Sequence, residues 1–210
     1  NVEVTEPFWF RDEFGEDSLG RYGGNHYGMT ILDGRLCSAV GAQFITTMKK
    51  LRNPSVNLIW KPTSKDSLNR YRLAVGFRTN NTTTSNLFHG SSIDPRYVLY
   101  FFGENNIVQL WKHDGMSMTS DVDSKSIPIP FNVDNSISIS KVGRTFEVTV
   151  GDNTVTLTDS TATIDIDDVY PVIEPEIMGS IPHEIGNLQI SGTRVYQKPI
   201  HRGAMLETYH

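Results

Sequence analysis

Hydrophobic and polar residues alternate along most of this chain with a period of two residues. Runs rich in Val, Ile, Thr, Tyr and Phe are separated by Gly, Asn, Asp and Pro, and helical spacing of apolar residues is almost absent. A period of two is typical of β-strands with one face on a core. The predicted strands are Tyr27–Leu32, Arg35–Val40, Gln43–Thr47, Val56–Lys61, Arg70–Thr79, Tyr97–Phe102, Ile107–His113, Ser136–Val142, Thr145–Val150, Asn153–Thr158, Val169–Ile177 and Ile185–Val195. So many short strands predict an all-β protein with two packed antiparallel sheets.

Tight turns join several of these strands. Asp33-Gly34, Val142-Gly143-Arg144 and Gly151-Asp152-Asn153 each supply a residue suited to positive φ between two strands. The last two turns predict a meander over residues 136–158 with one buried face and one solvated face. The buried face consists of Ile137, Ile139, Phe146, Val148, Val150, Val155 and Leu157.

Two polar segments, residues 80–95 and 116–135, show neither strand nor helix patterning. Long polar loops of this kind are where binding residues concentrate, so both are candidate functional loops. The chain contains no internal repeat and no linker-like stretch. We therefore expect one domain over residues 1–196, followed by an exit segment over residues 197–210.

Composition and charge exclude several classes of protein. The chain has 210 residues, of which 38% are hydrophobic and 10% aromatic, enough to form a sizeable core. Its net charge of -5 and its pI near 5.7 disfavour binding to nucleic acid. No apolar stretch approaches the roughly 20 residues that cross a bilayer, so membrane insertion is not expected. With Cys37 as its single cysteine, the chain cannot form an internal disulfide.

The order of motifs resembles the concanavalin A-like lectins and glucanases. The opening Phe10-Arg11-Asp12-Glu13-Phe14 is similar to the phenylalanine, acid, phenylalanine start of that superfamily, and residues 28–36 are similar to its Asp-Gly hairpin. Four further segments resemble successive strands of its sandwich, at residues 73–78, 97–101, 107–112 and 185–196, and residues 137–151 resemble a hairpin. The resemblance implies a two-sheet antiparallel jelly-roll sandwich.

Within that superfamily, the chain is most similar to carbohydrate-binding modules appended to phage tail, baseplate and fibre proteins. The resemblance implies a non-catalytic, lectin-like module that adheres to a cell-surface polysaccharide as part of a phage tail or other surface assembly. The expected partners are a glycan and other subunits of that assembly, and the expected location is extracellular or on a virion.

Strand alternation places candidate sugar-binding residues on one face. Sugars are recognised by an aromatic plane under their C–H face and by polar groups around the ring edge. Gln109, Trp111 and His113 share one face of their strand, whereas Arg72 and Arg78 flank the small residues 74 and 76, which leave room for a groove floor. The remaining candidates are Tyr100 from the strand between them and the loop residues Asn80, Asn81, His89, Asp94 and Arg96.

The other two tryptophans have structural interpretations. Trp60 shares a face with Val56 and Leu58 and is expected in the core. Trp9 stands between Phe8 and Phe10 and is expected to pin the N-terminal segment onto the sandwich.

Two alternative functions remain open at this point. A glycoside hydrolase or polysaccharide lyase on the same fold needs two facing carboxylates, and the candidates are Asp165, Asp167, Glu174 and Glu176. The glucanase pattern of the superfamily is incomplete, because Thr163 replaces its first glutamate. A purely structural virion or scaffold domain is the second alternative, with the aromatic strand at 97–102 packed against other subunits.

Metal binding has little support in the sequence. The six histidines show no paired spacing for a transition metal. Relatives implied by the resemblance use calcium, for which Asp121 and Asp123 or the acids at 165–168 offer oxygen ligands, but neither segment matches an EF-hand. We expect no cofactor, with structural calcium as the alternative.

Overall fold

The computed structural model describes residues 1–24, 26, 28–38, 44–81, 87, 94–161, 166–175 and 183–199. Short 3-10 helices occur at Ser18–Arg21 and Gly103–Asn105. The strands are β1 (Val2–Asp12), β2 (Met29–Leu32), β3 (Arg35–Ser38), β4 (Ile45–Thr46), β5 (Leu51–Pro62), β6 (Arg72–Arg78), β7 (Arg96–Phe102), β8 (Ile107–His113), β9 (Met118–Ser126), β10 (Asn135–Val142), β11 (Thr145–Val150), β12 (Asn153–Thr158), β13 (Asp168–Pro175) and β14 (His183–Lys198).

Every strand pairing is antiparallel, and the strands form two layers. The first sheet runs β14-β5-β10-β11-β12. Along the edge that faces away from β5, the start of β14 pairs with β3 and the rest of β14 pairs with the whole of β1. Strand β2 pairs with β3 and extends the sheet there. The second sheet runs β4-β13-β6-β7-β8-β9.

Strand β13 belongs to both sheets. Its first two residues, Asp168 and Val169, pair with β5 of the first sheet. From Tyr170 onward it pairs with β6 of the second sheet. The two layers are therefore joined through one continuous strand.

The main core fills the space between the two sheets. Phe146 of the first sheet contacts Phe77 and Tyr97 of the second, with ring centroids 5.4 and 5.3 Å apart. Trp60 is fully buried, as predicted, and its indole N–H donates to Nδ1 of His183 at 3.3 Å. These aromatic contacts tie the two layers together.

A polar network lies at the edge of this core. The hydroxyl of Tyr97 donates to Asp159 at 2.8 Å, and Nζ of Lys112 lies 3.3 Å from the same carboxylate. The Lys112 ammonium and the Asp159 carboxylate are both buried, so their attraction offsets the desolvation cost of each charge.

The structure confirms the predicted turns and the buried face of the meander. Asp33, Gly34, Gly143 and Gly151 all have positive φ. Of the seven meander residues, Val155 is half-buried and the other six are buried.

Two strands have no counterpart in the sequence prediction. Strand β1 alternates in burial, but Glu6 interrupts its inward-facing apolar row. Strand β9 lies within the predicted loop 116–135, where a polar edge strand leaves almost no hydrophobic signal.

Boundaries also shift at the C-terminal side of the sandwich. Strand β14 continues to Lys198, two residues into the predicted exit segment, and residues 200–210 lie outside the described part of the chain. The single domain over residues 1–196 stays a prediction. Within the described residues, no helix is long and apolar enough to cross a membrane.

Candidate functional site

The second sheet has an outer face, turned away from the core, that contains the predicted site residues. Residues paired across antiparallel strands share a face, so the register defines rows across β6, β7 and β8. From one end to the other, the rows are Arg72, Phe102 and Ile107; Ala74, Tyr100 and Gln109; Gly76, Val98 and Trp111; and Arg78, Arg96 and His113. The predicted face sharing of Gln109, Trp111 and His113, and of Arg72 and Arg78, is therefore correct.

A second apolar cluster covers part of this outer face. Phe44 and Leu87 pack with Ala74, Val98 and Val172. The backbone of Leu87 is fixed at both ends, because its N–H donates to the carboxylate of Glu174 and its carbonyl accepts from the Tyr100 hydroxyl at 2.6 Å. The middle of the sheet is thus closed to a ligand.

Tyr100, a predicted sugar contact, has a side chain that is only 2% exposed. The predicted register is correct, but Leu87 covers the ring and takes its hydroxyl hydrogen bond. Backbone patterning cannot show that a distant segment folds over a strand face.

The predicted far wall of the groove is also buried. Arg78 and Asp94 lie 3.6 Å apart, and Arg96 lies 3.1 Å from the same carboxylate. The Arg78 guanidinium lies over the ring of Phe44, and burial lowers its pKa from the ordinary value. Arg78 and Asp94 are therefore buried and held by charged and aromatic neighbours.

Two further candidates lie at this closed end. His113 is buried, and burial together with the nearby Arg96 charge lowers its pKa, so the ring stays neutral and accepts from the Gly115 N–H. Its predicted role as a sugar contact stays a prediction, and the Trp111 patch defined below does not include it. Asn80 is exposed, and His89 lies outside the described residues.

The opposite end of the outer face is accessible, and we call it the Trp111 patch: Arg72, Phe102, Gln109 and Trp111, all of them half-buried. The indole N–H of Trp111 donates to Oε1 of Gln109 at 3.0 Å. The ring of Trp111 meets Tyr100 edge-on, with centroids 4.6 Å apart. Both contacts hold the indole in one orientation.

Arg72 completes the patch beside Phe102. Its guanidinium lies 4.7 Å from the Phe102 ring centroid, and its Nε donates to Glu104 at 2.6 Å. The ion pair and the ring together fix a planar donor next to the two aromatic side chains.

Strand β9 is irregular opposite Trp111. Leu110 pairs with Asp123 and Lys112 pairs with Thr119, so three β9 residues face the single residue Trp111. Asp121, in the middle of this bulge, has φ of 54°. Bulges of this kind are common next to binding sites because they redirect a strand locally.

Sequence reasoning missed Phe102 and Glu104 as parts of this patch. Phe102 lies two residues after Tyr100 and shares its face, so strand alternation alone could have placed Phe102 on the outer face. Glu104 lies in a 3-10 helix whose contact with Arg72 depends on the tertiary fold.

Each candidate acid pair has one member, Asp165 or Glu176, outside the described part of the chain. Glu174 is buried and accepts from Leu87, Asp167 is half-buried, and Asp165 and Glu176 lie outside the described part. Asp168 is bound by Arg52 through two hydrogen bonds of 2.7 and 2.8 Å.

Of the candidate calcium ligands at residues 121 and 123, Asp123 is already bound by neighbouring groups. Asp123 binds Lys125 at 2.6 Å and the Thr158 N–H at 2.9 Å, and Asp121 is exposed on the bulge. Among the described residues, no group of three or more His, Cys, Asp or Glu side chains is placed to hold a metal ion.

Trp9 does not pin the N-terminal segment as predicted. Its side chain is 67% exposed, whereas Phe8 and Phe10 on either side turn inward and pack on the core. Alternation therefore assigns the anchoring role to the two phenylalanines.

Solved structures with the same arrangement have little sequence identity to this chain. The legume lectin-like domain from Entamoeba histolytica has a TM-score of 0.62 at 13% identity, over 91% of this chain and 97% of that one. The Ca2+/Man3GlcNAc-bound VIP36 exoplasmic/lumenal domain has a TM-score of 0.61 at 8% identity, over 91% and 86%. The carbohydrate-binding module CBM66 from Bacillus subtilis has a TM-score of 0.56 at 11% identity, over 79% and 90%. No protein-family model and no curated protein matches the sequence.

Proposed function

We propose that this chain, which has the concanavalin A-like lectin fold, is a non-catalytic carbohydrate-binding module and that the Trp111 patch is its binding site. The observation that supports the proposal is the fixed, half-buried indole of Trp111 beside polar groups on an otherwise covered sheet face. Such a mixed surface suits a ligand with one apolar face and a polar rim.

Each member of the patch has a defined role in this proposal. The sugar ring lies with its C–H face on Trp111 and Phe102. The Gln109 carbonyl oxygen is occupied by the indole N–H, so its amide NH₂ group is directed to a ligand hydroxyl. Arg72, held beside Phe102 by Glu104, contributes its planar guanidinium to the polar rim around the sugar.

A small, shallow patch of this kind gives modest affinity per copy. The proposed setting is therefore a surface assembly, such as a phage tail, that displays several copies outside the cell. Once one copy is bound, its neighbours meet the same polysaccharide at high effective concentration, so avidity replaces tight single-site binding.

The test is a glycan array, followed by titration of each bound glycan with Trp111→Ala and with Tyr196→Ala as a matched aromatic control on the other sheet. We expect Trp111→Ala to lose at least about tenfold in affinity, which corresponds to about 1.4 kcal/mol, and the control to bind as wild type. Each titration is repeated with added calcium and with EDTA.

Three results contradict the proposal. A wild-type isotherm for folded Trp111→Ala removes the site. No glycan signal for folded wild-type protein removes the function and favours a structural subunit. Soluble sugar released from polysaccharide indicates an enzyme and brings Asp167 and Glu174 forward.

A further inference from the structure

A second surface outside the Trp111 patch has the composition of a binding site. Trp9 lies on the outward face of β1, 67% exposed. It forms one side of a surface groove of about 790 Å³, whose other lining residues include Arg11, Glu13, Glu16, Asp17 and Arg21. An indole exposed to this extent has lost little water, so its apolar surface remains available to a ligand.

The wall opposite Trp9 is held firmly in place. Buried Asp12, the last residue of β1, accepts from the Phe14 N–H at 2.7 Å, the Ser18 hydroxyl at 2.7 Å and the Tyr22 hydroxyl at 2.8 Å. Burial and the Asp12 carboxylate raise the pKa of Tyr22, so its phenol stays protonated and donates. The guanidinium of Arg21 lies 4.4 Å from the Phe10 ring centroid. The loop after β1 is therefore preformed.

The groove has an excess of negative charge. Four carboxylates and two guanidinium groups line it. Arg11 and Glu13 neutralise each other at 2.5 Å, and Arg21 lies 3.6 Å from Asp12. Within the described residues, no side-chain hydrogen bond or ion pair is made by Glu16 or Asp17. These two carboxylates are left to attract a cationic group on a ligand.

We propose that this N-terminal groove binds a glycan with free amino groups, such as a glucosamine oligomer. The C–H face of one sugar ring lies on Trp9, and ammonium groups of the oligomer pair with Glu16 and Asp17. An anionic glycan is repelled by the same carboxylates, and a neutral one loses the ion pairs.

The groove and the Trp111 patch lie on different sheets of the sandwich, each on an outward face. One copy thus presents two binding surfaces that point away from each other. The inference stands apart from the proposed function, because it depends on Trp9 and its loop and on none of the Trp111 patch residues.

The experiment is calorimetric titration with the glucosamine hexamer and with its N-acetylated counterpart, in mildly acidic, low-salt buffer. Wild-type protein is expected to bind the free-amine hexamer at least tenfold more tightly than the acetylated one. Trp9→Ala loses binding to both, whereas the Glu16→Gln, Asp17→Asn double variant loses only the preference for the free amine. Trp111→Ala keeps that preference, which separates this groove from the first site.

Wild-type affinity in folded Trp9→Ala overturns the inference, as does equal or stronger binding of the acetylated hexamer by the wild type. A wild-type protein that binds neither hexamer also overturns it. Because Trp9 and both acids are on the surface, we expect the variants at these three positions to unfold at the wild-type temperature, and thermal melts check this. The glycan array tests the Trp111 patch separately, so either site can fail alone.

Discussion

The contact between Leu87 and Gly76 determines whether the middle of the outer sheet face stays closed. Leu87 is 1% exposed, and its side chain packs directly on the backbone of Gly76. A Cβ placed on Gly76 meets the two terminal methyl carbons of Leu87 at 2.6 and 2.8 Å and its Cγ at 3.3 Å. Gly76→Ala therefore requires the side chain of Leu87 to shift, whereas it adds no atom to the inner face of β6.

The magnitude follows from packing. Inserting a methyl group into a filled site costs about 1–3 kcal/mol. Leu87→Ala removes the same contact from the other side and costs about 2–5 kcal/mol, because the buried side chain leaves a cavity. In the double variant the methyl group added at position 76 enters the space vacated by the leucine side chain. We expect its total cost to be at least about 1 kcal/mol smaller than the sum of the two single costs.

Urea denaturation of the four proteins, followed by intrinsic fluorescence, measures this coupling. The reasoning is refuted if the two costs add within about 0.5 kcal/mol, since independent sites behave in that way. Gly76→Ala at wild-type stability also refutes it. Opening of the covered face is checked in parallel by acrylamide quenching of tryptophan fluorescence, which should increase in Gly76→Ala as the surroundings of Trp111 loosen.

Two further predictions concern the rest of the sandwich. Gly103→Ala drives a Cβ into the ring of Tyr71, whose hydroxyl is already bound to a backbone carbonyl, so thermal melts should show a loss of about 3 kcal/mol. The matched Gly15→Ala, with no atom within 4 Å, should unfold like wild type, and equal melts for both would contradict the packing argument. Burial raises the pKa of Asp159, but hydrogen bonds to its carboxylate, the largest effect coming from Tyr97, lower the pKa by more. The native pKa of Asp159 therefore lies below the ordinary value near 3.9. Its stabilisation is complete above that value and is lost as pH falls through the lower native pKa, so Asp159→Asn should flatten stability against pH below about 4. An unchanged acid slope in that variant would show that the carboxylate is not responsible.

The sequence predicted the layers of the fold well because its strands alternate strongly. Residues such as Ile137 and Phe146 show the buried face of the meander directly, and Asp33-Gly34 shows its hairpin. Strands β1 and β9 escaped prediction for the opposite reason. Each lies at the edge of a sheet and exposes polar side chains, so neither has a clear apolar row. The partner of β1 is β14, far away in the chain, whereas β9 pairs with the preceding strand β8.

The site was half predictable. Alternation correctly placed Trp111, Gln109 and Arg72 on one face, since a strand's period is a local property. Local periodicity contains nothing about what covers that face. Leu87 closes it over Tyr100 from a polar segment with no strand pattern, and only tertiary contacts reveal this.

Strand β13 has a consequence for how the molecule folds. Its first residues fix it to β5 of one sheet, where Asp168 binds Arg52 from 116 residues earlier in the chain, and the rest of the strand then continues in the other sheet. Contacts of such long sequence separation slow folding, because a large loop must close before they form. Neither sheet can finish assembling without the strand that the other also needs. We therefore expect both layers to form late and together in one slow kinetic phase.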